Sequence, residues 1–389
     1  MSLKTRLSVL LISTPVLAFV LVGGLLGNTS AAGSDERFQH LRAFNDVINL
    51  IMESYVTEVN PSHAMEGAIR GLAESLDPDS AYLSASQVRE IESGDALPAG
   101  DVGLEITRQY YLRVIAARDG SPAAKAGLRT LDYIRAIDGK PTRDMSVFEG
   151  SRLLRGEPGT KVTLTIIRGN AAEPHEVPLV REEFAGPLVT SRTLENGLGY
   201  VRVVAFRQGV NDELRRHAAT LASKGATRLL IDVRGTAEGE YEQGIGAARL
   251  FVKSGTLARK AARTEEAQES IDARPGDGAI ALPVTLLTTT GTAGPAELFV
   301  SALDAHGRAD IVGERTLGRT GVQKLVKLPE RRGLWLTYAR YLRPDGEPIH
   351  GRGLQPDVAV SEPTVEFGTM PLQKDAILEA AVARANDGR

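Results

Sequence analysis

Three short apolar runs dominate the second half of the sequence: Leu198–Phe206, Arg228–Val233 and Val284–Thr288. Each is nearly continuous in apolar residues, which is typical of strands covered on both faces of a sheet. Helical patterns lie between or after these runs, at Asn211–Lys224, Gly244–Val252 and Pro295–Ala305. The repetition of strand and helix predicts a largely parallel sheet with right-handed crossovers.

Ligands of such sheets bind beyond the carboxyl ends of the strands. In this sequence those ends are followed by Arg234–Glu240 and Thr289–Gly294. We therefore expect functional residues in these two loops.

The region from about Gly100 to Gly169 has a different pattern, because its β-branched runs are short and are separated by Gly, Pro and Asp. This pattern predicts a small antiparallel barrel. Ser121–Gly127 predicts a one-turn helix that begins with an N-cap serine followed by proline. A longer helix is predicted at Ser146–Leu154, before the last strand.

The N-terminal segment has the composition of an export signal. Lys4 and Arg6 precede an uncharged run, Leu7–Gly27, which is followed by small residues. Residues 1–33 therefore predict either a cleaved signal peptide or a retained membrane anchor. Helical periodicity at Glu36–Tyr55 and His63–Ser75 predicts a helical region over residues 34–96.

Composition excludes several classes of function. The chain has no cysteine, which rules out disulfides, thiol nucleophiles and cysteine-ligated metals. Its 6 His form no HxH or HExxH pair, so we expect no metal and no cofactor. With 46 Lys+Arg against 49 Asp+Glu, no basic field favours nucleic acid. Membrane contact is expected only through the N-terminal segment.

Four blocks of the β-rich region resemble a circularly permuted bacterial PDZ domain; they are Gly103–Ile106, Gly120–Leu128, Ile137–Lys140 and Leu154–Thr160. A PDZ domain binds a peptide C-terminus as an added strand, and backbone N–H groups of a glycine-containing loop hold the carboxylate. The resemblance implies that the peptide-binding residues are Val102, Gly103, Leu104, Glu105 and Ile106. The alternative is that these glycines only shape turns.

Nearly all of the chain after residue 33 resembles the carboxyl-terminal processing, or tail-specific, serine peptidases. The motifs that carry this resemblance are Leu76–Ser80, Tyr82, the PDZ blocks, Leu230–Arg234, Gly313–Gly318 and Gly353–Val358. It implies a mixed α/β, multi-domain fold, in which a PDZ β-barrel (97–172) is inserted between the helical region and a crotonase-like core (173–389). Members of this family cut with a Ser–Lys pair that a Gln assists.

The residues that correspond to this catalytic set are changed. The segment 292–298 places Gly294 at the nucleophile position, and the family spacing places Arg319 at the base position. Gln323 is retained. The loop expected to form the oxyanion hole holds Gly235 and Gly239 in a different pattern from that of the family.

These replacements remove the inherited mechanism. Glycine has no nucleophile, and arginine keeps its proton at neutral pH, whereas a Ser–Lys pair needs a neutral amine. Thr292, two residues before the expected position, is the alternative nucleophile. Arg319 has two candidate roles, a structural ion pair or capture of a carboxylate.

The sequence thus predicts an exported, non-proteolytic homologue that binds C-terminal tails of envelope proteins, in the periplasm or at the outer face of the inner membrane. It could act beside an active peptidase relative, and it could form homo-oligomers. The alternatives are an active serine-type or threonine-type endopeptidase with a rearranged site, and a small-ligand binder in the vacated cleft.

Overall fold

The computed structural model describes residues 39–169, 173–363, 365–367 and 374–387. The predicted signal or anchor, residues 1–33, lies outside the described residues. The chain forms two compact units, Met1–Gly71 and Leu72–Arg389. Across the described ranges, no helix combines the length and the apolar character that crossing a membrane requires.

The described part of the first unit is helical, as predicted. Helix α1 covers residues 39–54, and α2, Pro61–Glu74, begins in this unit. The side chain of Asn60 accepts hydrogen bonds from the N–H groups of Ser62 and His63. Asn60 therefore caps the start of α2, with proline at the first helical position.

The second unit opens with strand β1, Ala81–Leu83, and helix α3, Ala85–Ser93. A small β-barrel follows, with the elements β2 (Leu104–Gln109), β3 (Tyr111–Ala117), α4 (Pro122–Lys125), β4 (Tyr133–Ile137), β5 (Lys140–Pro141), α5 (Val147–Leu154), β6 (Lys161–Ile167) and β7 (His175–Val180). Its strand order is β2-β3-β4-β6-β7, every pair is antiparallel, and β5 pairs with β4. The predicted antiparallel barrel is confirmed, but it includes β7, which lies beyond residue 172.

Short polar caps and close backbone contacts shape the barrel. Ser121 caps α4 as predicted, and Ser146 caps α5; each accepts a backbone N–H of its helix. Gly150 in α5 lies so close to β3 that an added Cβ would come 2.3 Å from Leu112 Cδ1. Helix α5 therefore lies directly on the sheet, beside β2.

The remaining elements form the core domain; they are β8 (Val189–Thr193), β9 (Leu198–Val203), α6 (Val210–Ser223), β10 (Arg228–Asp232), α7 (Tyr241–Arg249), β11 (Thr256–Ala262), β12 (Glu269–Asp272), β13 (Val284–Thr288), α8 (Pro295–Ala305), β14 (Ala309–Gly313), β15 (Gly321–Lys327), β16 (Gly333–Leu342), β17 (Val358–Ala359) and α9 (Ala376–Asp387). Helix α7 ends earlier than the predicted Gly244–Val252. The carbonyls of Arg249 and Leu250 accept N–H groups from Gly278 and Ile280, and these tertiary bonds draw the chain away from the helix.

A mixed sheet forms the centre of this domain, in the order β17-β14-β13-β10-β9-β8. All neighbours are parallel except β8 and β9. Phe299 of α8 and Leu214 of α6 are buried in one hydrophobic cluster, and Ile377 of α9 is buried in another with Leu230 and Leu287. The sheet is covered on both faces, as its apolar strands predicted.

A second, antiparallel sheet was largely missed by the sequence analysis. Its order is β1-β16-β11-β12, with β15 also paired to β16. Many residues of β11 and β15 are only partly buried, so their sequences lack the long apolar runs of the parallel strands. Pairing of Ala81 in β1 with Trp335 in β16 joins the segment after α2 to the core domain.

Candidate active site

Gly294, the predicted nucleophile position, lies directly before α8 at the carboxyl end of β13. Its backbone has φ +60° and ψ −121°, a conformation that favours glycine. An added Cβ would lie 3.5 Å from the carbonyl oxygen of Ala237 and 3.8 Å from that of Arg319. The space for a side chain is therefore present, and the missing feature is a reactive group.

A hydrogen-bond donor that acyl transfer commonly uses is also missing beside Gly294. The N–H after a nucleophile is a common donor to the oxyanion, but Pro295 occupies that position and has no N–H. The two groups nearest to a Cβ at 294 are carbonyl oxygens, which are acceptors. Developing negative charge would be repelled here, because carbonyl dipoles present their negative ends.

The two glycines of the predicted oxyanion loop have structural roles. The N–H of Gly235 donates to Thr289 Oγ1 at 3.3 Å. Gly239 has φ +128° and lies against Phe206, whose carbonyl oxygen would be 2.2 Å from an added Cβ. Gly239 is therefore required for close backbone approach.

Arg319, at the predicted base position, forms ion pairs with two carboxylates and a hydrogen bond to a backbone carbonyl. Its Nη2 lies 2.8 Å from Asp79 Oδ1, and its Nε donates to Asp79 Oδ2 at 3.2 Å. Its Nη1 donates to the carbonyl oxygen of Ile106 at 3.2 Å and lies 3.8 Å from Glu105 Oε2. Asp79 and Glu105 raise the pKa of Arg319, which outweighs the opposing effect of burial, so the guanidinium stays charged.

Asp79 was not singled out by the sequence analysis, although it lies in the quoted Leu76–Ser80 motif. A turn presents it: Asp77 Oδ1 accepts the N–H groups of Asp79 and Ser80 at 2.9 and 2.7 Å. Asp79 is 7% exposed. A carboxylate with so little solvent needs a cation, and Arg319 supplies it.

Gln323 does not contact Arg319 through a hydrogen bond. Its Nε2 donates to Thr337 Oγ1 at 3.1 Å, across the β15–β16 pair. Gln323 and Arg319 nevertheless line the same cavity of about 210 Å³, together with Trp335 and residues of α5. The retained Gln thus lies in the cleft but has a structural partner.

Thr292, the alternative nucleophile, is fully buried. Its hydroxyl donates to the carbonyl oxygen of Val233 at 2.8 Å and accepts the N–H of Thr289 at 3.1 Å. The first bond ties the loop after β13 to the end of β10, and the second closes a turn within that loop. The hydroxyl is therefore engaged within the protein interior.

Glu297 is the most heavily bonded residue of the site and was missed. It is fully buried, and its carboxylate accepts N–H groups from Gly294, Gly318 and Arg319 at 3.1, 2.6 and 2.8 Å. The hydroxyl of Thr316 donates to it as well. A sequence signal was available, because Glu at the third position of a helix often caps its start.

The five predicted peptide-binding residues lie together at the start of β2. The side chains of Val102, Leu104 and Ile106 are buried in the barrel core. Gly103 has φ +77°, and an added Cβ would meet Ser121 Cβ at 2.3 Å. Burial raises the pKa of Glu105 to about 7, although the nearby Arg319 cation favours its ionised form.

Comparison with known proteins agrees with this arrangement of domains. The sequence model of Peptidase family S41 matches residues 197–360, and those of a PDZ domain and of the activating protease CtpB N-terminal domain match 113–168 and 26–87. The Carboxy-terminal-processing protease of Bartonella bacilliformis is 31% identical over 334 residues, which cover 85% of this chain and 77% of that protein. The chain belongs to the carboxyl-terminal processing peptidase family.

Other members of the family are similar over most of the chain. The Carboxyl-terminal-processing protease of Synechocystis sp. is 31% identical over 360 residues, covering 90% of this chain and 82% of the relative. The solved structure of the photosystem II D1 C-terminal processing protease aligns with a TM-score of 0.68 at 28% identity. This alignment covers 80% of this chain and 85% of that one.

This member of the family holds a half-buried histidine beside the Arg319 loop, which leads to a pH prediction. The N–H of Thr320 donates to His350 Nδ1 at 3.3 Å. Burial, assisted by the Arg340 cation, lowers the pKa of His350 below 6.5. Below about pH 6.5, His350 is therefore protonated more fully in the unfolded chain than in the folded chain. The free energy of unfolding falls as the pH drops through this range.

We expect His350→Gln to reduce this acid destabilisation. Urea-unfolding midpoints, followed by Trp335 fluorescence at several pH values between about 5 and 8, measure it. His63→Gln is the matched control, since His63 is exposed in α2. Identical pH slopes for wild type and His350→Gln would contradict the prediction.

Proposed function

We propose that this chain is an exported, non-proteolytic member of the carboxyl-terminal processing peptidase family that binds peptide tails at the open edge of β2. Its place would be the periplasm or the outer face of the inner membrane. The observation that carries the proposal is the pairing of Arg319 with the buried Asp79, next to a nucleophile position that holds glycine.

Three separate chemical losses support the absence of proteolysis. No hydroxyl stands at 294, the base position is occupied by a permanent cation, and the residue after 294 has no N–H. Loss of a serine nucleophile alone costs on the order of a million-fold in kcat in a serine protease. The buried, doubly bonded hydroxyl of Thr292 is in no position to replace it.

The geometry of β2 supports peptide binding. In the described part of the chain, β2 ends its sheet and pairs only with β3. Ile106 lies opposite Val114, whose N–H and C=O bond Asp132 and Leu131 on the other side. Ile106 therefore belongs to a pair without mutual hydrogen bonds, and its backbone groups face the open edge, where a strand could add.

A cleavage assay tests the proposal. The full-length chain is incubated with an unfolded protein that has an apolar C-terminus, in parallel with the Bartonella bacilliformis relative. We expect no fragments from this chain, and no adduct with a serine-directed phosphonate. Fragments that disappear in a Thr292→Ala variant would instead favour a rearranged endopeptidase.

A binding assay tests the second half of the proposal. A fluorescein-labelled peptide ending in valine is titrated with the full-length chain, and fluorescence anisotropy reports binding. Saturable binding without cleavage is the expected result. Co-purification from the cell envelope would then identify the tails that are bound and any active peptidase beside this chain.

A further inference from the structure

The loop predicted to hold a tail carboxylate already holds a carboxylate of the chain itself. The N–H of Gly103 donates to Asp101 Oδ1 at 2.9 Å. The other oxygen, Asp101 Oδ2, lies 3.3 Å from Arg155 Nη2, at the end of α5. Asp101 therefore has the two kinds of partner, an amide of the loop and a guanidinium, that would stabilise the carboxylate of a bound tail.

The backbone fixes Asp101 in this place. Its N–H donates to the carbonyl oxygen of Glu182 at 3.0 Å, and its own carbonyl accepts the N–H of Glu182 at 2.9 Å. The carbonyl oxygens of Val102 and Gly103 also have hydrogen-bond partners within the domain, because they accept the N–H groups of Ala123 and Arg118. The loop is thus bonded on both sides, and the Asp101 carboxylate is held in front of Gly103.

The middle of the same edge is also occupied by a charged side chain. The carbonyl oxygen of Ile106, which faces the open edge, accepts a hydrogen bond from Arg319 Nη1. A peptide strand must take over this acceptor. Binding of a terminal carboxylate at Gly103 is less favourable still, because that carboxylate must displace the fixed negative charge of Asp101.

We propose that Asp101 fills the carboxylate position of the tail-binding loop. β2 therefore accepts extended segments with little regard to a free C-terminal carboxylate, including segments internal to a partner protein. Asp101 is thus a residue that determines specificity. This inference rests on the proposed peptide binding at β2 and extends the class of peptide that is bound from C-terminal tails to internal extended segments.

The test compares one labelled peptide ending in valine as the free acid and as the C-terminal amide, titrated against the full-length chain. Wild type is expected to bind both forms within about threefold. Asp101→Ala is expected to tighten binding of the free acid about tenfold and to leave the amide unchanged, because it frees the Gly103 N–H and Arg155. Asp101→Asn keeps an acceptor for Gly103 and is expected to give an intermediate preference.

Glu182→Ala is the matched control. It removes one negative charge beside the same loop, where Glu182 pairs with Lys125 at 3.0 Å in a half-exposed bridge. If Asp101→Ala and Glu182→Ala increase the affinity for the free acid equally, the effect comes from the loss of any negative charge near the loop, and the inference is overturned.

Two other results would also count against it: a wild-type preference for the free acid of tenfold or more, or weaker binding of the free acid by Asp101→Ala. Absence of binding of either peptide by every variant would remove the proposed function itself, and this inference with it. Urea midpoints of all variants establish that each one is folded.

Discussion

The double variant Gly294→Ser with Arg319→Lys is expected to show no detectable endopeptidase activity, although it restores both side chains of the family's catalytic pair. The first reason is Asp79, whose carboxylate lies 2.8 Å from the guanidinium of Arg319. An amine placed beside this buried carboxylate would keep its proton, since a close opposite charge raises its pKa. It could not then accept the proton of a serine hydroxyl.

The second reason lies in the backbone. A serine at 294 fits sterically, but its attack would place an oxyanion on the substrate carbonyl oxygen, where Pro295 offers no N–H and the carbonyl oxygens of Ala237 and Arg319 are nearby. One missing oxyanion donor costs about 10²–10³ in kcat. The positive φ at 294 adds strain of about 1–3 kcal/mol for any side chain.

The structure specifies which further changes relieve these obstacles. Adding Asp79→Asn and Pro295→Ala to the double variant removes the nearest competing charge and supplies an amide. We expect measurable release of fragments from a quenched, unfolded substrate only in this fourfold variant, and none when Gly294→Ala replaces Gly294→Ser in it. Full activity in the double variant would show that neither Asp79 nor Pro295 limits the chemistry.

Glu297→Ala is expected to lower the free energy of unfolding by about 3–5 kcal/mol. The carboxylate accepts three backbone N–H groups and one hydroxyl in the interior. Its removal leaves these donors unsatisfied, and each unsatisfied buried donor costs about 1–3 kcal/mol before relaxation. The bonds also hold the loop of Arg319 to the start of α8, so the loop should loosen.

Urea unfolding followed by the single tryptophan, Trp335, measures this loss. Glu242→Ala is the matched control, because Glu242 also lies in the first turn of a helix but is exposed. The control should change stability by no more than about 0.5 kcal/mol. A similarly small effect of Glu297→Ala would mean that water or a rearranged loop satisfies the freed donors.

Local patterns in the sequence were sufficient for the parallel sheet, the barrel and most of the helices. Apolar runs such as Leu198–Phe206 and Val284–Thr288 predict buried parallel strands, because burial on both faces removes polar alternation from the strand itself. Serine, proline and glycine signals likewise predicted α4. By contrast, β11, β12 and β15 are short or only partly buried. The positions of β11 and β15 depend on pairing with β16, and that of β12 depends on pairing with β11.

The absence of a hydroxyl at 294 and of an amide N–H at 295 was also readable from the sequence, since it is a property of those residues in any conformation. The residues that pair with Arg319 could not be predicted from the sequence. Asp79 and Arg319 are 240 residues apart and meet where β1 and β15, the strands that follow them, both pair with β16. Arg319 reaches Ile106 across 213 residues. No periodicity in the sequence signals such contacts, because they form when elements that are distant in the chain pack together. Only the tertiary structure determined them.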